Sequence, residues 1–123
     1  MAIIKKSIDQ ISPFTAGDDT LIREVLHPRN DDLALGYSLA FAVLEPGRAS
    51  LPHILKKSDE VYAIGKGRGR AFIDGEAADV GPGDVVVIPA GARQYIENTG
   101  DEHLEFWCIV SPPWNEEDEL VED

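Results

Sequence analysis

The sequence predicts a single all-β domain in which short strands form a sandwich or a closed barrel. Turn-forming residues recur along the chain from Pro28 onward, and the runs between them are about five to ten residues long. Several runs alternate apolar with small or polar residues, whereas no stretch combines helical periodicity with capping residues. About eight or nine such strands are typical of sandwiches and barrels. A length of 123 residues suits one domain.

The first half of the chain contains the clearest alternating run. Residues 7–12 fit at most a turn of helix, and the barrel is expected to begin at about residue 20. In residues 35–43 the large side chains share one parity and the small ones the other. Period two is the repeat of a strand with one buried face. Because the second face is small throughout, it can be packed as well.

The second half contains a hairpin and two further apolar runs. Asp74-Gly75 lies between two short apolar stretches, and an Asp-Gly pair fits a type I′ turn. Residues 85–88 form a short apolar run that is consistent with a buried strand. Residues 104–110 form the last strand, so the barrel is expected to end at about residue 111.

The charge of the chain restricts its partners. The net charge is −12, and six acids but no base lie among the last eight residues. An acidic surface repels phosphate backbones and anionic membranes, so we expect no nucleic-acid partner and no membrane partner. Residues 112–123 are interpreted as a solvated acidic tail, with a partner-binding tail as the alternative.

Three features predict a cytoplasmic protein. No long apolar segment follows Lys5 and Lys6, so no secretory signal is expected. No apolar run approaches the roughly 18 residues of a membrane helix. Cys108 is the single cysteine, which excludes an internal disulfide and suits a reducing compartment.

Two spaced sets of residues carry the functional information. The first set is Gly47, His53, Leu55, Glu60 and Gly67. It resembles the first cupin motif, which runs from a glycine through a His-x-His pair and a glutamate to a second glycine. Leucine stands here in place of the second histidine.

The second set is Gly83, Pro89, Gly91, Gln94 and Asn98. It resembles the second cupin motif, with Gln94 where that motif has its histidine. Since both sets occur in the order and at the separation found in small cupins, the chain resembles small single-domain cupins of the cupin 2 conserved-barrel type. It is also similar to archaeal examples described as sugar-phosphate-isomerase-like. The resemblance implies a double-stranded β-helix, or jelly-roll barrel, formed by residues 1–123 as one domain.

The resemblance also implies a metal position inside the barrel. In cupins the two histidines and the glutamate of the first motif join the histidine of the second around a divalent ion. Carried over by position, this chain offers His53, Glu60 and Gln94, whereas Leu55 cannot bind a metal. One nitrogen and two oxygen donors suit Mn²⁺, Fe²⁺ or Zn²⁺. In the metal-free alternative these three groups hydrogen-bond one another or hold a ligand directly.

Strand alternation predicts the walls of the same pocket. Leu55, Tyr62 and Ile96 share the parity of the three polar residues, so we expect them to contact a bound ligand. Arg23, on an early strand, could reach the barrel mouth and bind an anionic group of the substrate. His27 is expected at the surface.

Three functions from different classes follow. The first is a divalent-metal-dependent isomerase or lyase that acts on a sugar or a hydroxy acid, with Glu60 as the catalytic acid–base residue. The second is a metal-free module that binds or senses a small molecule, which Leu55 favours by making the pocket more apolar. The third is a catalytically inert interaction subunit. Whether the chain is an enzyme stays open at this point.

A homodimer is also expected. Small cupins commonly pair through their N-terminal strands, so the resemblance implies a second copy of the chain as a partner. The apolar face of residues 35–44 fits such burial.

Overall fold

Strands make up nearly all of the regular structure. The computed structural model describes residues 2–122, and the only helical segments in that range are two short 3-10 helices, Ile8–Gln10 and Glu116–Asp118. No helix in this part of the chain is long and apolar enough to cross a membrane. The all-β prediction is confirmed. The strands, in chain order, are β1 (Phe14–Thr15), β2 (Leu21–Leu26), β3 (Ser38–Leu44), β4 (His53–Leu55), β5 (Asp59–Lys66), β6 (Gly69–Ile73), β7 (Glu76–Val80), β8 (Val85–Ile88), β9 (Arg93–Asn98), β10 (Leu104–Ser111) and β11 (Glu119–Val121).

The strands form two antiparallel sheets that enclose the barrel interior. The six-stranded sheet has the order β1-β2-β3-β10-β5-β8, and the five-stranded sheet has the order β11-β4-β9-β6-β7. The chain therefore passes from one sheet to the other several times, as in a jelly roll. Both sheets contribute buried apolar side chains to one core. These are Ala42, Leu44, Tyr62, Ile64, Ala71, Val80, Ile88, Ala92, Ile96, Leu104 and Phe106.

Two turns show why glycine occupies particular positions. Asp74 and Gly75 have φ values of 48° and 84°, and two positive φ values are the geometry of the predicted type I′ turn between β6 and β7. Gly67, the last residue of the first motif, has a φ of 87°, and a Cβ added there would lie 2.5 Å from the carbonyl oxygen of His103. Any other residue at this position would force the β5–β6 connection away from β10.

Strand β3 buries its small residues. Ser38 and Ala42 face the barrel interior, whereas Phe41 and Val43, on the opposite face, are half-exposed. Ser38 and Ala40 also line the internal cavity described below. Small side chains are needed there because larger ones would fill that cavity. The large side chains of the alternating run thus lie on the outer face of the barrel.

Strand β8 is more exposed than the apolar run at residues 85–88 predicts. It is the edge strand of the six-stranded sheet. Ile88 is 1% exposed, whereas Val85 and Val87 are 62% and 64% exposed. The prediction of a buried strand is therefore wrong for these two valines, because their face of the sheet is not covered by any residue of the described chain.

The C-terminal residues are built into the barrel. Strand β11 pairs antiparallel with β4, with Glu119 opposite Leu55 and Val121 opposite His53. The side chain of Asp118 accepts hydrogen bonds from the backbone N–H groups of Lys57, at 2.8 Å, and Ser58, at 3.2 Å. The interpretation of residues 112–123 as a solvated tail therefore needs correction, since part of this segment extends the five-stranded sheet.

Candidate functional site

A cavity of about 140 Å³ lies inside the barrel. Side chains from both sheets line it, and so do residues of the two terminal segments. Ile22, Ile96, Phe106 and Val110 are among its apolar walls. Its volume is close to the ~150 Å³ of a known apolar protein cavity that holds benzene. The cavity therefore has room for one ring of a small molecule.

His53 on β4 presents an imidazole to this cavity and is 2% exposed. Its Nδ1 lies 2.9 Å from the backbone carbonyl oxygen of Leu51, and since a carbonyl can only accept, Nδ1 carries the proton. The other nitrogen, Nε2, lies 3.8 Å from a carboxylate oxygen of Asp18. With its proton on Nδ1, His53 has an acceptor lone pair at Nε2.

Glu60 on β5 contributes a buried carboxyl group to the same cavity. Burial, which disfavours the charged form, raises the pKa of Glu60 to about 8, and the negative charges of Asp18 and Glu119 act in the same direction. The neighbouring amide of Gln94 acts in the opposite direction. Glu60 is therefore mostly protonated at neutral pH and can donate a proton or a hydrogen bond.

Gln94 on β9 lies behind this carboxyl group and is fully buried. Its side-chain oxygen accepts a hydrogen bond of 2.6 Å from the hydroxyl of Tyr62. Burial raises the pKa of Tyr62 well above its ordinary value, so Tyr62 stays a neutral donor. The side-chain nitrogen of Gln94, Nε2, has no hydrogen-bond partner in residues 2–122.

Besides Glu24, two further acidic residues line the cavity, and none of the three was predicted from the sequence. Asp18 comes from the loop between β1 and β2, where its carboxylate accepts a hydrogen bond from the backbone of Thr20 at 3.2 Å. Glu119 comes from β11 and accepts from the indole N–H of Trp114 at 3.3 Å. Burial raises the pKa of Glu119, and the nearby imidazole of His53 lowers it. No spacing in the sequence marks either residue, because both lie far along the chain from the two motifs.

The predicted wall residues divide into two groups. Tyr62 and Ile96 line the cavity, whereas Leu55 is buried but does not line it. Arg23 does not line it either, because its neighbours Ile22 and Glu24 have the inward parity of β2. The prediction that Arg23 binds a substrate anion is therefore not supported. Its Nε donates instead to the backbone carbonyl of Ile11 at 3.0 Å.

His27 is buried, which corrects its predicted surface position. Its Nδ1 accepts from the backbone N–H of Arg29 at 3.1 Å, so the proton is on Nε2. Nε2 donates to the backbone carbonyl of Trp114 at 2.7 Å. His27 thus anchors the C-terminal segment against the barrel.

The predicted metal ligands form a poor donor set for an ion. Leu55 supplies no ligand atom, and one lone pair of the Gln94 oxygen is already used by the hydrogen bond from Tyr62. A carboxyl group must lose its proton to bind a metal, which the burial of Glu60 opposes. In the part of the chain that the structure describes, no three His, Cys, Asp or Glu side chains are grouped so that they could hold an ion. We therefore assign no step of the chemistry to a metal.

Comparisons with known proteins agree with this architecture. Residues 40–110 match the family described as Cupin domain. The uncharacterized protein MJ1618 of Methanocaldococcus jannaschii is 39% identical over 123 residues, which cover 99% of this chain and 98% of that protein. This relative shares the whole length of the domain, including both terminal segments.

Solved structures with the same fold include two enzymes by description. A predicted oxalate decarboxylase from Thermotoga maritima superposes with a TM-score of 0.80 at 22% identity, covering 89% of this chain and 99% of that one. Pac13, a nucleoside dehydratase from Streptomyces, superposes with a TM-score of 0.79 at 17% identity, covering 98% and 92%. Variants of Pac13 with tyrosine or histidine replaced were solved with uridine. At these identities the likeness shows the fold alone.

Proposed function

Because the chain belongs to the cupin family, we propose that its barrel binds a small metabolite with a hydroxylated ring and moves a proton on it, as an isomerase or a lyase. One observation carries the proposal. His53 and Glu60 line the same cavity in complementary states, since His53 has an acceptor nitrogen and Glu60 holds a proton at neutral pH.

The size and lining of the cavity support a single-ring ligand. A volume of about 140 Å³ encloses one ring but not a large cofactor. Apolar walls with a few polar groups at one place are typical of small-molecule sites. The uridine in the Pac13 structures carries a ribose ring, which makes single-ring sugars reasonable first probes, while uridine itself, with two rings, tests the size limit.

The charge of the cavity supports an uncharged ligand. Asp18, Glu24, Glu60 and Glu119 line it, and no lysine or arginine among the described residues does. Carboxylates in a poorly solvated space repel phosphate and carboxylate groups. A free sugar therefore fits this cavity better than a sugar phosphate or a hydroxy acid.

His53 and Glu60 are suited to proton transfer at a carbon atom next to a carbonyl group. His53 Nε2 would take a proton from the carbon next to the carbonyl, and Asp18 would stabilise the imidazolium that forms. In a lyase, Glu60 would give its proton to the hydroxyl on the adjacent carbon, the C–O bond would break, and water would leave as a C=C bond forms. In an isomerase, Glu60 would protonate the carbonyl oxygen to give an enediol.

Two other functions remain as alternatives. A reaction that depends on Mn²⁺, Fe²⁺ or Zn²⁺ is the form that the family resemblance implies, but the donor set of His53, Glu60 and Gln94 fits an ion poorly. A metal-free binding or sensing module would use the same cavity without turnover. An inert interaction subunit is less consistent with the structure, since its own side chains leave the cavity open.

The test separates binding from chemistry. Thermal shift and calorimetry with D-ribose, D-xylose and uridine measure binding, and NMR in D₂O measures solvent deuterium entering the sugars beside the carbonyl carbon. We expect His53→Gln and Glu60→Gln to slow this exchange by at least about 100-fold. His103→Gln, at an exposed position, serves as the matched control.

The outcomes distinguish the candidates. Exchange that depends on His53 and Glu60 but not on His103 supports an isomerase or lyase. Binding without exchange supports the sensing module. If none of the probes binds at millimolar concentration, the proposed ligand class is wrong.

A further inference from the structure

The Gln94 amide has one satisfied and one unsatisfied group in a fully buried position. Its oxygen accepts from Tyr62 at 2.6 Å, while its nitrogen makes no hydrogen bond of good geometry in the described residues and lies near the carboxyl group of Glu60, whose pKa it acts to lower. A buried donor without a partner destabilises a fold by about 1–3 kcal/mol. Such groups are few in native proteins, and each calls for a physical explanation.

The position of this amide connects it to the cavity. Gln94 lies directly opposite His53 in the pairing of β9 with β4, so the two side chains are neighbours on the inner face of one sheet. The amide also contacts Tyr62, and both Tyr62 and His53 line the cavity. Gln94 itself does not line the cavity, so a ligand atom could reach the amide only past these two side chains.

The orientation of the amide determines which kind of atom it can bind. Tyr62 holds the oxygen, so the group left over is an N–H donor with a partial positive charge. A donor of this kind attracts an oxygen lone pair and repels a cation. In other cupins the equivalent histidine presents a lone pair to an ion, so the replacement reverses the polarity of this position.

We propose that the position used for a metal in other cupins binds an uncharged oxygen of the ligand directly in this chain, through the N–H group of Gln94. A ring hydroxyl or a carbonyl oxygen has the required lone pair. The ligand half of this inference rests on the proposed function, whereas the metal half does not.

The metal half is tested on the wild-type protein without any ligand. After dialysis against Mn²⁺ or Zn²⁺, elemental analysis should find much less than one equivalent of either ion. Addition of EDTA, or of 1 mM MnCl₂, should change the melting temperature by less than about 1 °C. One equivalent of bound ion that His53→Gln removes would overturn the inference.

A gain-of-function variant provides the matched comparison. Leu55→His combined with Gln94→His restores the three histidines and the glutamate of the family motif. We expect it to bind about one equivalent of Mn²⁺ or Zn²⁺ and to melt several degrees higher with the ion than without it. Gln94→His alone is the second variant if the double substitution does not fold. If a folded variant binds no more metal than the wild type, the residue at position 94 does not control metal binding, and the inference is wrong.

The ligand half uses an isosteric change. Gln94→Glu keeps the shape of the side chain but replaces the N–H donor with an acceptor. We expect its affinity for D-ribose, or for whichever probe binds the wild type best, to fall by roughly 10-fold or more. Unchanged affinity would overturn the direct hydrogen bond. Failure of every probe to bind the wild type would contradict the proposed function while the metal measurements still decide the metal half.

Discussion

Glu60 is a cavity residue whose protonation state depends on its burial. Its carboxyl group faces the carboxylates of Asp18 and Glu119, the imidazole of His53 lines the same cavity, and burial raises the pKa of Glu60 to about 8. Desolvation raises the pKa of Cys108, and the charge that Glu60 would carry acts in the same direction. A proton on Glu60 therefore removes its repulsion with Asp18 and Glu119, so the residue proposed as the acid also affects stability.

The pKa of Glu60 predicts a pH dependence of stability. The ordinary pKa of the group is 4.5 and its value in the fold is about 8, so the folded chain binds more protons than the unfolded chain between these values. Stability from this group is fully present below pH 4.5 and is lost as the pH rises to about 8, at up to about 1.4 kcal/mol per pH unit. We expect Glu60→Gln to remove this loss. Chemical denaturation at a series of pH values from 5 to about 8 measures it.

The control for this prediction is an exposed acid. Glu117→Gln removes a carboxylate that lies in solvent, so its unfolding free energy should follow the wild-type pH dependence. If Glu60→Gln and the wild type lose stability in parallel over this range, Glu60 is ionised in the fold and the acid assigned to the reaction is absent.

The sequence predicts part of the site at this scale. His53 and Glu60 could be placed because motif spacing and strand parity together fix which side chains face inward. The hydrogen bond between Tyr62 and Gln94 could not be placed, since it joins strands of different sheets. Asp18 and Glu119 lie outside both motifs, and no pattern in the sequence relates a loop or a terminal strand to the barrel interior.

The amino-acid composition of the C-terminal segment does not predict how the segment packs against the barrel. Its many acids favour a solvated tail, yet three contacts tie it to the barrel. These are the pairing of β11 with β4, the Asp118 carboxylate on the backbone of Lys57 and Ser58, and the His27 bond to Trp114. Backbone pairing and single hydrogen bonds leave no mark on average charge or hydropathy, so the sequence could not predict them.

Removal of the Asp118 carboxylate should loosen this segment. It accepts two backbone hydrogen bonds, and bonds to a charged group contribute about 1.5–3 kcal/mol each when they are buried. These bonds are partly exposed, so we expect Asp118→Ala to lower the free energy of unfolding by about 1–2 kcal/mol. Amide hydrogen exchange should accelerate in β11 more than in β5 or β10. Glu116→Ala, at an exposed position, should change neither quantity, and equal effects of the two substitutions would contradict the anchoring role.

The face of β3 that points inward also determines which side chains lie on the outer surface of the molecule. Period two predicts the strand but not which face is inside, because a face of small residues is buried only where the interior must stay open. Ser38 and Ala40 meet that condition at the cavity. The large residues of the strand then join those of neighbouring strands on the outer face of the six-stranded sheet. Strand register places them in two apolar rows, Phe41, Trp107, Ala63 and Val85, and Leu39, Ile109, Val61 and Val87.

These rows, which we call the outer apolar face, are the basis on which we propose a homodimer. The chain carries a net charge of −12, so two copies repel each other over most of their surface. The outer apolar face carries no acid in either row, and a second copy would present the same apolar rows to it. Such self-complementarity is what a two-fold interface requires.

The dimer can be tested at a residue that contributes to neither the core nor the cavity. Val87 is 64% exposed on the edge strand β8, so Val87→Glu should fold normally and place a buried like-charge pair in the interface. Light scattering at about 100 µM should give the wild type twice the chain mass of 13.4 kDa, and this variant close to 13.4 kDa. Leu120→Glu is the control, because Leu120 is 53% exposed but belongs to the other sheet. It should leave the mass at the dimer value. A monomeric wild type, or dissociation by Leu120→Glu alone, would show that two copies do not meet through the outer apolar face.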